Sequence, residues 1–197
     1  MLAAAMLPGS VPSGRRRPLH ATLAVRLKRT REGAGVESKP LSLKAGLADR
    51  TVWAIEAEGR IPGIDTAERI ARALGVSPCY LAYGVEGAAL APVAEEEALR
   101  SQGCGERLQR LRDARGLTRT DLGRAAGVSA TAILNLEAGR NLPSVATAEA
   151  LGAALGCSPC WLAYAEGPSP LDDPAGAAAE LQAVRFRPPR SPRKAGA

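Results

Sequence analysis

Between Thr118 and Gly139, in the string TRTDLGRAAGVSATAILNLEAG, apolar residues recur at helical spacing and polar ones punctuate them. Leu122, Ala125 and Ala126 make one apolar stripe, and Ile133 with Leu136 makes a second. Thr118 stands as an N-cap with Asp121 three residues on, a capping-box-like pair. Gly127 ends the first stripe where a left-handed backbone is needed, and Ser129 caps the next helix after Val128 has packed the turn. The pattern predicts two short helices meeting across a tight, glycine-containing turn.

The pattern occurs twice. At an offset of 81 residues the chain aligns with itself without a gap from Arg26/Arg107 to Tyr83/Tyr164, with 23 identities in 58 positions. The strings SPCYLAY (Ser77–Tyr83) and SPCWLAY (Ser158–Tyr164) differ at one position. Each copy reads as five short helices. In the first they fall near 22–33, 39–45, 49–57 and 65–74, with a last one after the cap Ser77. In the second they fall near 105–115, 119–126, 130–138, 146–155 and 159–165. The predicted fold is therefore all-α: a disordered basic arm over 1–20, a first domain over 21–84, and an acidic linker over 85–104 with a short helical stretch at Ala94–Ser101. A second domain over 105–167 and a disordered tail over 168–197 follow. Domains this small bury a modest core, and packing of one copy on the other would extend it.

Composition changes the picture in two ways. Aromatic residues are only 3% of the chain while Ala, Leu and Gly are plentiful, which favours helices over sheets. The net charge is +6, with both copies basic and the linker acidic, a balance suited to nucleic acid or to a plainly solvated surface. Arg15, Arg16 and Arg17 at the start, and Arg185, Arg187, Arg190, Arg193 and Lys194 at the end, add basic segments. No apolar run has membrane-spanning length, and the first residues lack the leading positive charge of a signal peptide. Four unevenly spaced cysteines do not resemble a disulfide framework, so a cytoplasmic protein with reduced thiols is expected. Cys157 and Cys160 form a CxxC string without the strand context of a redox site, and alignment makes them core thiols. A lone His20 builds no triad. The expectation is no enzyme, no metal and no cofactor.

The second copy resembles the Cro/CI-type (XRE-like) helix-turn-helix family across Leu108–Gly156. The telling strings are GLTRTDLGRAAGVS, the LEAGR that ends the third helix, and the Pro-Ser before the fourth. The first copy resembles it less well, over Leu41–Tyr83. The resemblance implies two lambda-repressor-like domains in tandem, double-stranded DNA as partner, and the third helix of each copy in a major groove. It implies that Ala130, Thr131 and Asn135 face bases with Leu134 nearby, and that Asp49, Arg50 and Ala54 correspond in the first copy. Chemistry agrees in part: Asn pairs with adenine, Arg with guanine, and Ala or a Thr methyl with a thymine methyl. Arg119, Arg140 and Asn141, with Ser38, Lys39 and Arg60 in the first copy, are the implied phosphate contacts. Structural ion pairs are implied between Arg112 and Glu137 and between Arg31 and Glu56. The first copy departs from the pattern at Pro40, at Glu58, and at Gly59, one place later than Gly139.

The expected function is a two-headed transcriptional regulator of repressor type, with dissimilar half-sites read by one chain. A flexible linker of this length has an r.m.s. span of roughly 25–29 Å, enough to reach both. One alternative is a protein-protein adaptor or dimerisation module, with DNA binding by the second copy alone. Another is a redox or metal sensor acting through Cys157 and Cys160. Self-association and intrachain pairing both remain open, and no seat for a small-molecule effector is apparent.

Overall fold

A computed structural model describes residues 18–85 and 98–186. The arginine run at 15–17, most of the acidic linker (86–97) and the arginine-rich end (187–197) lie outside the described residues. The first repeat opens with a 3-10 turn, Leu19–Thr22, followed by α1 (Leu23–Gly33), α2 (Ser38–Lys44), α3 (Thr51–Ala57), α4 (Ile64–Leu74) and α5 (Pro78–Tyr83). The second opens with a 3-10 turn, Arg100–Gly103, followed by α6 (Cys104–Ala114), α7 (Arg119–Ala126), α8 (Ala130–Glu137), α9 (Val145–Leu155) and α10 (Pro159–Tyr164). A last helix, α11 (Pro174–Phe186), corrects the expectation of a disordered tail from 168 onward. It docks through buried Ala177 and through Glu180, which accepts a hydrogen bond from the Ser158 hydroxyl at 3.0 Å.

Side-chain caps set the helix starts. The hydroxyls of Thr118, Ser129 and Ser144 accept from the N–H groups of Asp121, Ala132 and Thr147, each at 3.1 Å. Gly127 takes a left-handed backbone, φ 69°, at the end of α7. The first repeat handles the same turn differently. Ala48 stands where Ser129 caps α8, and α3 starts only at Thr51, two residues later than predicted. Ser42 compensates: its buried hydroxyl accepts from the Val52 N–H at 3.1 Å and donates to the Ser38 carbonyl. Its counterpart is Gly123, where an added Cβ would run into the backbone carbonyl of Val128. Gly123→Ala should therefore push the α7–α8 turn apart at a cost of about 1–3 kcal/mol, measured by urea unfolding. An alanine variant of unchanged midpoint would show that the turn has room.

The two repeats share one continuous apolar core. They pack through α4, α5, α9, α10 and the two 3-10 turns, and their contacts are reciprocal. The Ile64 N–H donates to the Pro143 carbonyl and the Val145 N–H to the Pro62 carbonyl, both at 3.0 Å. Glu149 accepts the N–H groups of Leu19 and His20 at 2.7 and 3.1 Å, while Glu68 accepts those of Arg100 and Ser101 at 2.8 and 2.9 Å. Every member of one pair lies 81 residues from its counterpart in the other. Equivalent residues also touch directly: Gly63 bridges Ser144, and the rings of Tyr83 and Tyr164 lie 6.4 Å apart. Residues can meet their own equivalents only at a two-fold axis, so the chain is built as a self-paired dimer within one polypeptide. Pairing within the chain, one of the two open alternatives, is what the fold adopts. Leu19 and His20, expected in the disordered arm, belong to this interface.

The expectation of four reduced thiols is corrected at the axis. Cys79 and Cys160 are joined as a disulfide with Cα atoms 5.2 Å apart. Cys160 thus pairs with its equivalent and not with Cys157. Cys104 and Cys157 are free and buried, and burial pushes their thiols up to about 11 and about 12, which keeps them protonated and unreactive.

Candidate nucleic-acid interface

In the second repeat, α8 is anchored by Ile133 and Leu136, both buried. Its other side presents Thr131 and Leu134 to solvent, Leu134 at 42% exposure, with Ala130 and Asn135 half-buried beside them. Those four predicted residues therefore lie along one helix. Arg140 reaches the Asn135 amide oxygen at 3.4 Å, so the two sit at one edge of the surface, and Asn141 is exposed next to them.

The predicted ion pairs form in both repeats and tie the first helix to the third. Arg112 donates through Nε and Nη2 to the two Glu137 carboxylate oxygens at 2.6 and 3.2 Å, and through Nη1 to the Leu117 carbonyl at 3.0 Å. Arg31 does the same toward Glu56, at 2.8 Å to each oxygen, and toward the Val36 carbonyl. Arg119 adds something the sequence reading missed. Its Nε donates to Glu137 at 2.6 Å, which makes it the third member of a cluster while the side chain stays 41% exposed. The first repeat has Ser38 there, half-buried at the start of α2, so Glu56 lacks this second guanidinium.

Burial alone would raise the Glu137 carboxyl, but the hydrogen bonds and charges of Arg112 and Arg119 outweigh it and hold the group below its usual 4.5. A depressed folded value means that this stabilisation is complete above 4.5 and is lost as pH falls through the lower folded value. Glu166 and Glu180, raised by burial, act in the opposite sense. Melting temperatures should hold steady down to about pH 4.5 and fall below it, and Glu137→Gln should flatten that fall. An acid limb identical in the variant would remove Glu137 from the account.

In the first repeat, α3 departs from the prediction. Ala54 is 7% exposed and belongs to the buried set with Val52 and Ile55, so it is not placed on the outer surface. A one-carbon side chain there does not project past its neighbours. The exposed position is Trp53, the counterpart of Leu134, at 40% exposure. The Arg50 guanidinium lies over its ring, 4.5 Å from the centroid. Arg50 is the N-cap residue of α3, and Asp49 before it pairs with Lys39 at 3.9 Å across the turn. Arg60 is exposed beyond the helix end, as is Glu58.

Two arginines that the sequence reading did not assign are structural. Arg26 and Arg107 donate through Nε to the carbonyls of Leu81 and Leu162, closing the ends of α5 and α10 on the first helices. Their identity in the two copies was the available signal.

A family model described as a helix-turn-helix domain matches residues 104–163, and a model described as helix-turn-helix matches residues 27–81. No curated protein and no solved structure matches the chain. Among the described residues, no helix is long and apolar enough to cross a membrane.

Proposed function

Because the chain belongs to the helix-turn-helix family of the Cro/CI type, in tandem, and so to a DNA-binding class of transcription regulators, we propose that it is a sequence-specific repressor. It reads the major groove of double-stranded DNA with α8 and α3 together. The observation that carries this reading is the reciprocal pairing at 81-residue offset. Members of such families bind as dimers to half-sites roughly 34–36 Å apart, and here one polypeptide supplies both heads. The packed interface, and not a flexible linker, sets their separation. Exposed Lys39, Arg60, Arg140 and Asn141 and the free edge of Arg119 are assigned to phosphates, with Ser38 beside them. Thr131, Leu134, Ala130 and Asn135 are assigned to bases.

Selection from randomised duplex DNA tests the reading. The expected product is a site with two dissimilar halves bound by one chain, because α3 and α8 present different residues. Asn135→Ala should weaken binding to it by about 1–3 kcal/mol and relax preference at one base pair, while Lys39→Ala should weaken all sequences alike and lower the salt slope by about one. An adaptor would be indifferent to Asn135→Ala and Thr131→Ala. Enrichment of a true palindrome, or of nothing, would overturn the proposal.

A further inference from the structure

Arg50 and Trp53 are placed together at the start of α3 in a way that nothing in the second repeat reproduces. Their counterparts there are Thr131 and Leu134, which make no such pair. Positions three apart share a helix face, and the N-terminal turn of a recognition helix is the part that meets base edges. The guanidinium stacks 4.5 Å from the Trp53 ring centroid. Among the described residues no carboxylate pairs with Arg50, because Asp49 beside it is turned to Lys39. The result is a cation with its donor edge free and an apolar ring held next to it.

We propose that this pair is the specificity element of the first repeat, and that it reads a guanine next to a pyrimidine carrying a 5-methyl group. The assignment rests on the DNA-binding reading above. Arg50 gives its two donors to guanine O6 and N7, and the Trp53 ring packs on the methyl group of the neighbouring base pair. Stacking on the ring holds the guanidinium in place before DNA arrives, so less side-chain freedom is lost on binding. Both partners are presented in the major groove alone, which matches the groove assigned to α3. Thymine and 5-methylcytosine offer the same methyl group. The acidic neighbour Asp49 works against random phosphate contact here, which suits a head that depends on the bases it meets.

The test uses the full chain and its selected site. Each thymine in the site is replaced in turn by deoxyuridine, which removes only the methyl group, and each cytosine by 5-methylcytosine, which adds one. Dissociation constants are compared at fixed salt. At one position beside a guanine, loss of the methyl should weaken binding about five- to tenfold. Trp53→Ala should bind the methylated and unmethylated sites equally, and Arg50→Ala should lose preference for the guanine. Trp53 is exposed, so circular dichroism should show the variants folded, and Trp53→Phe should retain part of the discrimination. With that pair changed to C·G, tighter binding of 5-methylcytosine than of cytosine would assign the methyl group itself, whereas no gain from the added methyl would narrow the target to thymine. A selected site with no methyl effect, or one that survives Trp53→Ala, overturns the Arg50–Trp53 assignment and leaves the DNA-binding reading intact. Failure to select any site takes both down.

Discussion

Arg112→Ala should lower stability by about 3–5 kcal/mol, among the largest effects of any single side-chain replacement in this chain. The guanidinium does three things at once: it carries the charge opposite Glu137, fills both carboxylate oxygens, and satisfies the Leu117 carbonyl. Removing it leaves a carboxylate that is 2% exposed with Arg119 as its remaining partner. The cost comes from that stranded charge more than from the lost attraction, because a buried pair gives back little beyond its own desolvation. Replacing both partners, as in Arg112→Met with Glu137→Leu, should recover most of the loss. Urea unfolding of the two variants separates these terms, and a single variant within 1 kcal/mol of the parent would sink the argument. DNA affinity should follow a different order. The double replacement restores stability but not the tie that fixes α8 against α6, so it should still bind its site more weakly than the parent does.

Residue pattern made much of this fold legible. The repeat and the capped helices of the second copy follow from local signals, the two Arg–Glu ties from the resemblance to the Cro/CI-type family, and Thr118, Ser129 and Gly127 act as their chemistry predicts. The departures in the first copy share a cause. Reading the first copy in register with the second transfers positions but not local geometry. Ala48 cannot cap and Ser42 has a Cβ where Gly123 has none, so α3 begins later; Trp53 faces outward as Leu134 does, but Ala54, with one carbon where Asn135 has an amide, stays in the buried set. The position of Arg119 implies a phosphate contact, which its exposed edge permits; its contact with Glu137 depends on a tertiary approach that spacing alone does not encode.

The axis was hidden for another reason. Cys79 and Cys160 are far apart in sequence, and no motif connects them. Their separation equals the repeat offset, and that equality becomes informative once the pairing is known to be two-fold. It also explains why SPCYLAY and SPCWLAY are the most alike strings in the two copies: each string packs against the other, so a change in one alters the surroundings of both. Helix α11 escapes the sequence pattern because Pro, Ala and Gly in that segment suggest a linker, whereas its anchor Glu180 finds its partner, Ser158, through the tertiary fold.

Opening the Cys79–Cys160 bond should then have the second large effect. A cross-link spanning 81 residues restricts the unfolded chain by about 4.5 kcal/mol in the loop-entropy model, and measured losses on removal are about 2–5 kcal/mol. Dithiothreitol, or Cys79→Ser with Cys160→Ser, should lower the urea midpoint accordingly. Alkylation in denaturant should trap two thiols per chain before reduction, Cys104 and Cys157, and four after it. Four trapped thiols without reductant would show that the bond does not form. The folded interface should survive its loss, because the Glu68 and Glu149 contacts, the Pro62 and Pro143 carbonyls and the shared core hold the repeats together without the sulfurs. The reduced chain should accordingly stay compact and one-to-one with its DNA at low temperature. Its affinity should fall earlier on warming, when the two heads separate and each must bind as a single domain.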